Sequence, residues 1–115
     1  MGYWSDVSAR LSEPAKSLKA TNPGPWEGFS ALHKEAMKDG ELSAALKEVI
    51  ALVIATVDEC EGCIAAHARG AARKGATKEQ VAEALGVVML MRGGPATVYG
   101  PKAWEAFLEF KEGQA

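Results

Sequence analysis

The segment from Leu42 to Val57 constrains the fold more than any other part of the sequence. Read as a helix, it is apolar on nearly all sides, and Ser43 stands where it can cap the N-terminus. In a chain of 115 residues, such a helix needs covering by more than one neighbour. The pattern therefore predicts an inner position, a subunit interface, or both. The run from Val49 to Val57 is rich in β-branched residues, but the Ala-rich helical pattern around it favours a helix.

The segments before this helix also follow a helical period. Residues 1–24 predict a peripheral N-terminal helix and a connector, with Pro14 limiting or kinking the helix. A second helix is expected from Pro25, because proline is favoured at the first helical position. Four apolar residues would form the inner stripe of this second helix: Phe29, Leu32, Ala36 and Met37.

Two further helices follow the apolar segment. The first starts after a break near Asp58-Glu59 and runs to Lys74, with Gly75 as a left-handed stop. The second starts with a capping box, Thr77-Lys78-Glu79-Gln80, and runs to Arg92. These signals lie at the ends of apolar periodic runs, so they predict the helix boundaries as well as the helices.

Within the second of these helices, Met89 and Met91 are expected to fill the core. A last helix either starts at Pro101 or is kinked there. No strand pattern, repeat or low-complexity segment occurs in the sequence. The predicted fold class is all-α, a compact multi-helix bundle in a single domain of residues 1–115, with core helices in residues 25–112.

Composition excludes several classes of function. The net charge is −2 and no cluster of Lys or Arg stands out, so nucleic acid is not an expected partner. The N-terminus lacks the pattern of a signal peptide, and no run is long enough to span a membrane, so we expect a cytoplasmic protein. In that compartment two cysteines spaced C-x-x-C are more often catalytic or metal-binding than structural.

The two cysteines belong to the motif Cys60-x-x-Cys63-x-x-x-His67. In a helix these three side chains would fall within a stripe of roughly 60°. His67 follows Cys63 by four residues, a spacing at which helical side chains touch, so its imidazole can accept a thiol proton. A C-x-x-C pair at a helix start favours thiolate formation. The pattern predicts a redox-active dithiol with a base beside it.

Outside the motif, the titratable residues Glu48 and His33 have different sequence neighbours. The helical neighbours of Glu48 are small or apolar, which predicts a desolvated carboxylate suited to carrying protons. The alternative is an exposed acid beside Lys47, and the sequence leaves the two equal. His33 has no reactive residue at helical spacing and is expected at the edge of the core.

The charged residues near the motif predict supporting roles. Glu59 and Glu61 flank Cys60 and are expected to be solvated, and their charge would oppose a thiolate at Cys60 more than at Cys63. Three cations near the end of the motif helix would complement the helix dipole and are given no other role: Arg69, Arg73 and Lys74.

The chain resembles the alkylhydroperoxidase D-like proteins of the carboxymuconolactone decarboxylase superfamily. The matching features are Glu48, the C-x-x-C-x-x-x-H motif twelve residues later, the capped helix from Thr77 and Gly93-Gly94-Pro95, within residues 30–110. The resemblance implies an all-α bundle assembled into trimers or hexamers. Members acting with a peroxiredoxin partner carry a second histidine where this sequence has Gly62. The decarboxylases of the family lack the cysteine pair.

The resemblance also implies an activity and residue roles. The cysteine pair would reduce hydroperoxides, with Cys63 forming the sulfenic acid and Cys60 acting as proton donor and resolving thiol. Glu48 and His67 would form the proton relay. The expected partners are a small-molecule hydroperoxide and a dithiol reductant or redox partner protein, with no metal and no organic cofactor.

Three alternatives remain open from the sequence. The same dithiol would also suit a dithiol-disulfide oxidoreductase acting on protein or lipoyl-type disulfides. A metal-binding module would use Cys60, Cys63 and His67, with Glu48 as a fourth ligand, although three ligands within two helical turns make tetrahedral geometry difficult. The third alternative is a non-catalytic assembly or binding protein.

Overall fold

The computed structural model describes residues 2–114, which form six α-helices. No strand occurs in this part of the chain, and the predicted all-α fold class is confirmed. The helices are α1 (Tyr3–Thr21), α2 (Pro23–Met37), α3 (Ala44–Val57), α4 (Glu61–Arg73), α5 (Lys78–Arg92) and α6 (Ala96–Glu112).

Helix α4 lies at the centre of the bundle and packs against α1, α3 and α6. Its buried face is built from Ile64 and small residues, which allow neighbouring helices to approach closely: Ala65, Ala68, Ala71 and Ala72. The largest fully buried side chains, Trp4, Phe107 and Leu52, come from α1, α6 and α3 and surround this face. The motif helix is therefore held rigidly from three sides.

Several predicted boundaries are confirmed. The Ser43 hydroxyl accepts the N–H of Leu46 and caps α3. Thr77 and Gln80 form both hydrogen bonds of the capping box at the start of α5. Gly75 follows α4 with φ of +94°, the left-handed conformation that glycine adopts without steric cost. These local signals depend on a few adjacent residues, so tertiary packing does not override them.

The two internal prolines do not end their helices. Pro14 lies inside α1 and Pro101 inside α6, which begins at Ala96, so the prediction of a helix start at Pro101 is wrong. Both prolines are exposed, so water can reach the carbonyl that loses its N–H donor.

The start of α1 is anchored on α6. Trp4 is 1% exposed, and its Nε1 donates to Glu105 at 2.8 Å. The backbone N–H groups of Trp4 and Ser5 donate to the Glu109 carboxylate at 3.1 and 2.8 Å. Burial acts to raise the pKa of Glu109, but hydrogen bonds from Ser5 and Trp4 outweigh it and hold the pKa below its ordinary value. The first turn of α1 therefore belongs to the core.

The prediction that an apolar stripe of α2 faces the core of the chain is wrong. Phe29 is 67% and Leu32 63% exposed, and α2 buries no residue, because its contacts with the rest of the bundle are few. The prediction of Met89 and Met91 as core residues is also wrong, since they are 48% and 78% exposed. Helix α5 instead buries the face that carries Val81.

Helix α3 takes the inner position predicted for it on one face only. Val49 and Leu52 are buried in the bundle, whereas Leu46, Ile50 and Ile54 remain between 42% and 54% exposed. The outer face of α3 is thus apolar and uncovered by the rest of the chain. Among the described residues, no helix has both the length and the apolar character needed to cross a membrane.

Candidate active site

The two cysteines lie at the N-terminus of α4 and form a disulfide, with Cα atoms 5.3 Å apart. Cys60 is the N-cap residue with extended backbone, and its Sγ accepts the Cys63 N–H at 3.3 Å. Cys60 is thus outside the helix, and the predicted helical stripe of three side chains is wrong for this residue. The sulfurs still meet, because an N-cap side chain folds back toward the first helical turn. Cys63 is exposed, whereas Cys60 is partly buried.

The turn before Cys60 contains Glu59, a non-glycine residue with φ of 56°. Such left-handed backbone is unfavourable for most side chains, by roughly 1–2 kcal/mol. The Glu59 carboxylate accepts from Arg92 of α5 at 3.0 Å. The ion pair between Glu59 and Arg92 therefore links the turn that precedes the disulfide to α5.

On the other side of Cys60, the Glu61 carboxylate has two partners. The Tyr3 hydroxyl donates to it at 2.6 Å and the Lys102 ammonium at 3.0 Å. The hydrogen bond from Tyr3, followed by that from Lys102, lowers the pKa of Glu61 below its ordinary value. Glu59 is exposed, as expected, and Glu61 is partly buried, but both acids also form ion pairs with cations from other helices. Their charge opposes a thiolate less than the sequence suggests.

Glu48 and His67 face each other across α3 and α4. The Nδ1 atom of His67 lies 2.7 Å from a carboxylate oxygen of Glu48. The His67 side chain is 23% exposed and the Glu48 side chain 12%. The sequence left open whether the Glu48 carboxylate is exposed or sequestered, and in the structure it is sequestered. A carboxylate bonded to Nδ1 orients the imidazole ring and leaves its other nitrogen free to exchange a proton. The arrangement can take up a proton one helical turn from Cys63.

Gly70 makes this pairing sterically possible. A Cβ atom added at Gly70 would overlap the Glu48 carboxylate, so only glycine leaves the space that the carboxylate occupies. Gly70 is not among the site residues predicted from the sequence. A signal was present, because glycine inside a helix costs roughly 0.5–1 kcal/mol relative to alanine and therefore points to close packing.

His33 also lies at the site, although its sequence neighbours predict no role for it there. Its ring stacks on that of His67, with centroids 6.2 Å apart and planes inclined by 20°. The expected position at the core edge is wrong, because α2 buries no residue and His33 is exposed. No local spacing connects His33 to the motif, since only the packing of α2 beside α4 brings the two rings together.

A cleft of about 380 Å³ opens beside the two histidines. Glu48, His67 and Gly70 lie along it together with His33 and Ala66. Its remaining lining residues are the three cations to which the sequence gave only a helix-dipole role: Arg69, Arg73 and Lys74. The Arg69 guanidinium also lies 4.8 Å from the centre of the Phe110 ring.

The structure offers no converging metal ligands in residues 2–114: no group of three or more His, Cys, Asp or Glu side chains is arranged to hold an ion. Cys60 and Cys63 are bonded to each other, and the Nδ1 atom of His67 faces Glu48. In this oxidised arrangement Cys60, Cys63 and His67 do not form the ligand set that the metal-binding alternative requires.

Comparison with known proteins identifies the family. The family model for the carboxymuconolactone decarboxylase family matches residues 26–109, which include the motif and Glu48. The chain belongs to this family. The crystal structure of an apo carboxymuconolactone decarboxylase family protein from Legionella pneumophila superposes with a TM-score of 0.90 at 35% identity. The match covers 94% of this chain and 96% of the Legionella chain.

Two curated relatives extend the comparison. An uncharacterized protein from Cupriavidus necator is 37% identical over 90% of this chain and 94% of its own length. Uncharacterized protein 4 in the cox locus of Paracoccus denitrificans is 43% identical over 84% of each chain. With its cysteine pair, the chain is an alkylhydroperoxidase D-like member of the carboxymuconolactone decarboxylase family.

Proposed function

We propose that this protein is a thiol-dependent peroxidase that reduces hydroperoxides through a Cys60/Cys63 dithiol-disulfide cycle. The observation that carries the proposal is the combination of a closed disulfide at the start of α4 with the Glu48–His67 pair one turn away. Family membership supports a redox role for the cysteine pair.

In the proposed cycle, His67 accepts the proton of the Cys63 thiol while Glu48 stabilises the imidazolium. The thiolate attacks the distal oxygen of the hydroperoxide, the O–O bond breaks, and Cys63 becomes a sulfenic acid. The alkoxide takes a proton from the Cys60 thiol and leaves as the alcohol, while the proton on His67 remains for the hydroxide that departs in the next step. Cys60 then attacks the sulfenic sulfur, water departs, and the disulfide forms. An external dithiol returns two electrons and two protons by thiol-disulfide exchange.

Exposure supports the division of roles between the cysteines. Cys63 is exposed and is the thiol nearer His67 in sequence, which suits the residue that meets the peroxide. Cys60 is partly buried at the N-cap, where it meets Cys63 but is less accessible to an external substrate. The N-terminus of α4 lies next to both sulfurs and favours a thiolate.

A steady-state assay of peroxide consumption tests the proposal, with several small dithiols as electron donors. We expect wild-type protein to turn over, and Cys63→Ser and Cys60→Ser to be inactive in cycling. Gly86→Ala serves as a control, because a Cβ atom there would contact nothing within 4 Å. Absence of turnover with every donor, from a protein that retains both thiols, would contradict the proposal.

A second candidate is a dithiol-disulfide oxidoreductase acting on protein or lipoyl-type disulfides. The exposure of Cys63 favours it, because a bulky thiol or disulfide can reach that sulfur. The rates of lipoamide reduction and of hydroperoxide reduction by the same reduced protein separate the two candidates. A faster disulfide reaction would assign the cysteine pair to exchange.

We also propose that the chain forms a homo-oligomer, a trimer or a hexamer, in the cytoplasm. Large apolar side chains on α2 and α3 stay exposed, among them Phe29, Leu32 and Ile50. Uncovered apolar surface of this kind is typical of protein interfaces. A dithiol that needs external reduction suits a reducing compartment. Light scattering after gel filtration measures the oligomer, and a monomer would contradict it.

A further inference from the structure

The cleft beside His67 carries more positive than negative charge. Arg69, Arg73 and Lys74 line it, and among residues 2–114 Glu48 is the one carboxylate in its lining. We propose that this cleft binds the carboxylate or phosphate group of an anionic substrate of the dithiol. The inference rests on the proposed function and names its substrate class: a small organic hydroperoxide that carries a negative charge.

The cations of the cleft are available to a ligand. Among residues 2–114, no carboxylate forms a salt bridge with Arg69, Arg73 or Lys74. Glu48 is engaged by His67. Glu109, which lines a neighbouring cleft with both arginines, accepts hydrogen bonds from Trp4 and Ser5. The nearby acids therefore already have other partners.

The register of α4 relates these cations to the reactive sulfur. Cys63, His67, Gly70 and Lys74 follow one another at steps of four, three and four residues, so they lie along one side of α4. At 1.5 Å of rise per residue, Arg69 and Arg73 lie about 9 and 15 Å beyond Cys63 along the helix axis. Neither cysteine lines the cleft, so a substrate whose anionic group binds there must extend by at least about this length to bring its peroxide group to Cys63.

The side chains suit an oxyanion in chemical terms. A guanidinium donates two parallel hydrogen bonds to a carboxylate or phosphate, which fixes the ligand in orientation as well as position. Stacking on Phe110 restrains Arg69 before a ligand arrives. A cleft lined mainly by one sign of charge also raises the local concentration of oppositely charged substrate.

Compensation of the helix dipole is the simpler explanation for two of the three cations. Arg73 and Lys74 lie at the C-terminal end of α4, where positive charge stabilises any helix. That role requires no concave surface, and it does not involve Arg69, which lies a full turn earlier. Direct measurement of anion binding separates the two explanations.

The first experiment uses the oxidised protein, in which peroxidase chemistry cannot occur. Inorganic phosphate and benzoate are titrated separately into isotopically labelled protein, and amide shifts are followed by NMR. We expect saturable shifts in residues 66–74, weakened several-fold in Arg73→Gln and in Lys74→Gln. Lys78→Gln, the same charge change on the exposed start of α5, should leave the titration unchanged. The two probes distinguish phosphate from carboxylate recognition.

The second experiment compares a hydroperoxide that carries a carboxylate with its methyl ester. Loss of one charged hydrogen-bond partner corresponds to about tenfold in binding. We therefore expect Arg73→Gln to lower the ratio of kcat/KM for acid over ester by about tenfold, and Lys78→Gln to preserve the ratio.

The outcomes separate the two proposals. Anion binding by a protein without peroxidase activity would support the cleft and overturn the proposed function. Turnover with equal kcat/KM for acid and ester, together with no saturable shift by either anion, would overturn the cleft and leave the function standing. A changed oligomeric state of Arg73→Gln without anion binding would also overturn it, because the cation would then serve an interface.

Discussion

The two ends of α4 differ in whether their charged side chains have partners of opposite charge. At the N-terminal end, each acid beside Cys60 has a cationic partner from another helix: Glu59 has Arg92 and Glu61 has Lys102. At the C-terminal end, Arg69 and Arg73 line an open cleft without a carboxylate partner among residues 2–114. One helix thus carries a neutralised end and an uncompensated end.

This contrast follows from what each end is proposed to do. A thiol that must ionise is hindered by uncompensated negative charge, so pairing the acids near the sulfurs protects reactivity. A site that binds an anionic substrate instead needs cations that no carboxylate of the protein neutralises. Glu48 and His67 lie between the two ends and connect the dithiol with the cleft.

The largest effect is expected from breaking the pair between the two ends. Glu48→Gln removes the charge that stabilises a protonated His67, and His67→Ala removes the proton acceptor itself. Each should lower kcat/KM for peroxide by about a hundredfold, the usual contribution of a positioned proton carrier. Far-ultraviolet circular dichroism checks that both variants fold. Full activity in Glu48→Gln would show that the carboxylate takes no part in proton transfer.

The next effect tests the packing that admits Glu48. Gly70→Ala should displace the carboxylate and lower kcat/KM about tenfold, since a misplaced proton carrier loses part of its contribution. Gly86→Ala, also inside a helix but open to solvent, is the matched control and should raise the free energy of unfolding by roughly 0.5–1 kcal/mol without loss of activity. Equal activity in the two variants would contradict the steric account.

Features that depend on residues close in sequence could be predicted. The helices and the caps at Ser43 and Thr77 could be predicted, because periodicity and capping depend on residues close in sequence. The motif placed Cys63 and His67 one turn apart for the same reason. Glu48 could only be nominated, since its partner lies on another helix.

The missed features depend on tertiary packing. His33 reaches His67 only because α2 lies beside α4, and Gly70 matters only because Glu48 arrives from α3. The extended backbone of Cys60 follows from the left-handed turn at Glu59, for which the sequence carries no glycine signal. Helical periodicity predicts which apolar residues of α2 share a face, but it does not predict whether another helix covers that face.

A smaller effect is expected from breaking the pairing at the N-terminal end. Lys102→Met leaves Glu61 uncompensated, so the pH midpoint for alkylation of the reduced thiols should rise and the rate at pH 7 fall about two- to fivefold, as for a partly exposed ion pair. Glu61→Gln should act in the opposite direction, and the double variant should lie near wild type. Identical alkylation profiles in all four proteins would remove the proposed role of pairing.

The smallest effect concerns the anchor of α1 beside the site. Because hydrogen bonds lower the pKa of Glu109 in the folded protein, its contribution to stability is present above the ordinary value of 4.5 and is lost as pH falls through the folded pKa. In the wild type the free energy of unfolding should decrease as pH falls below 4.5. In Glu109→Gln this decrease should be smaller by about 1 kcal/mol, measured by urea unfolding. An unchanged acid profile would show that the carboxylate is not coupled to folding.

The most direct test of the account is mass spectrometry of the fully reduced protein after one equivalent of an organic hydroperoxide. The account predicts an intact mass lower by two hydrogens, one equivalent of alcohol, and a peptide map in which Cys60 is linked to Cys63. Cys60→Ser should instead stop at a sulfenic acid on Cys63, which a dimedone probe would trap. A reduced protein that keeps both thiols free while the peroxide remains unconsumed would contradict the account.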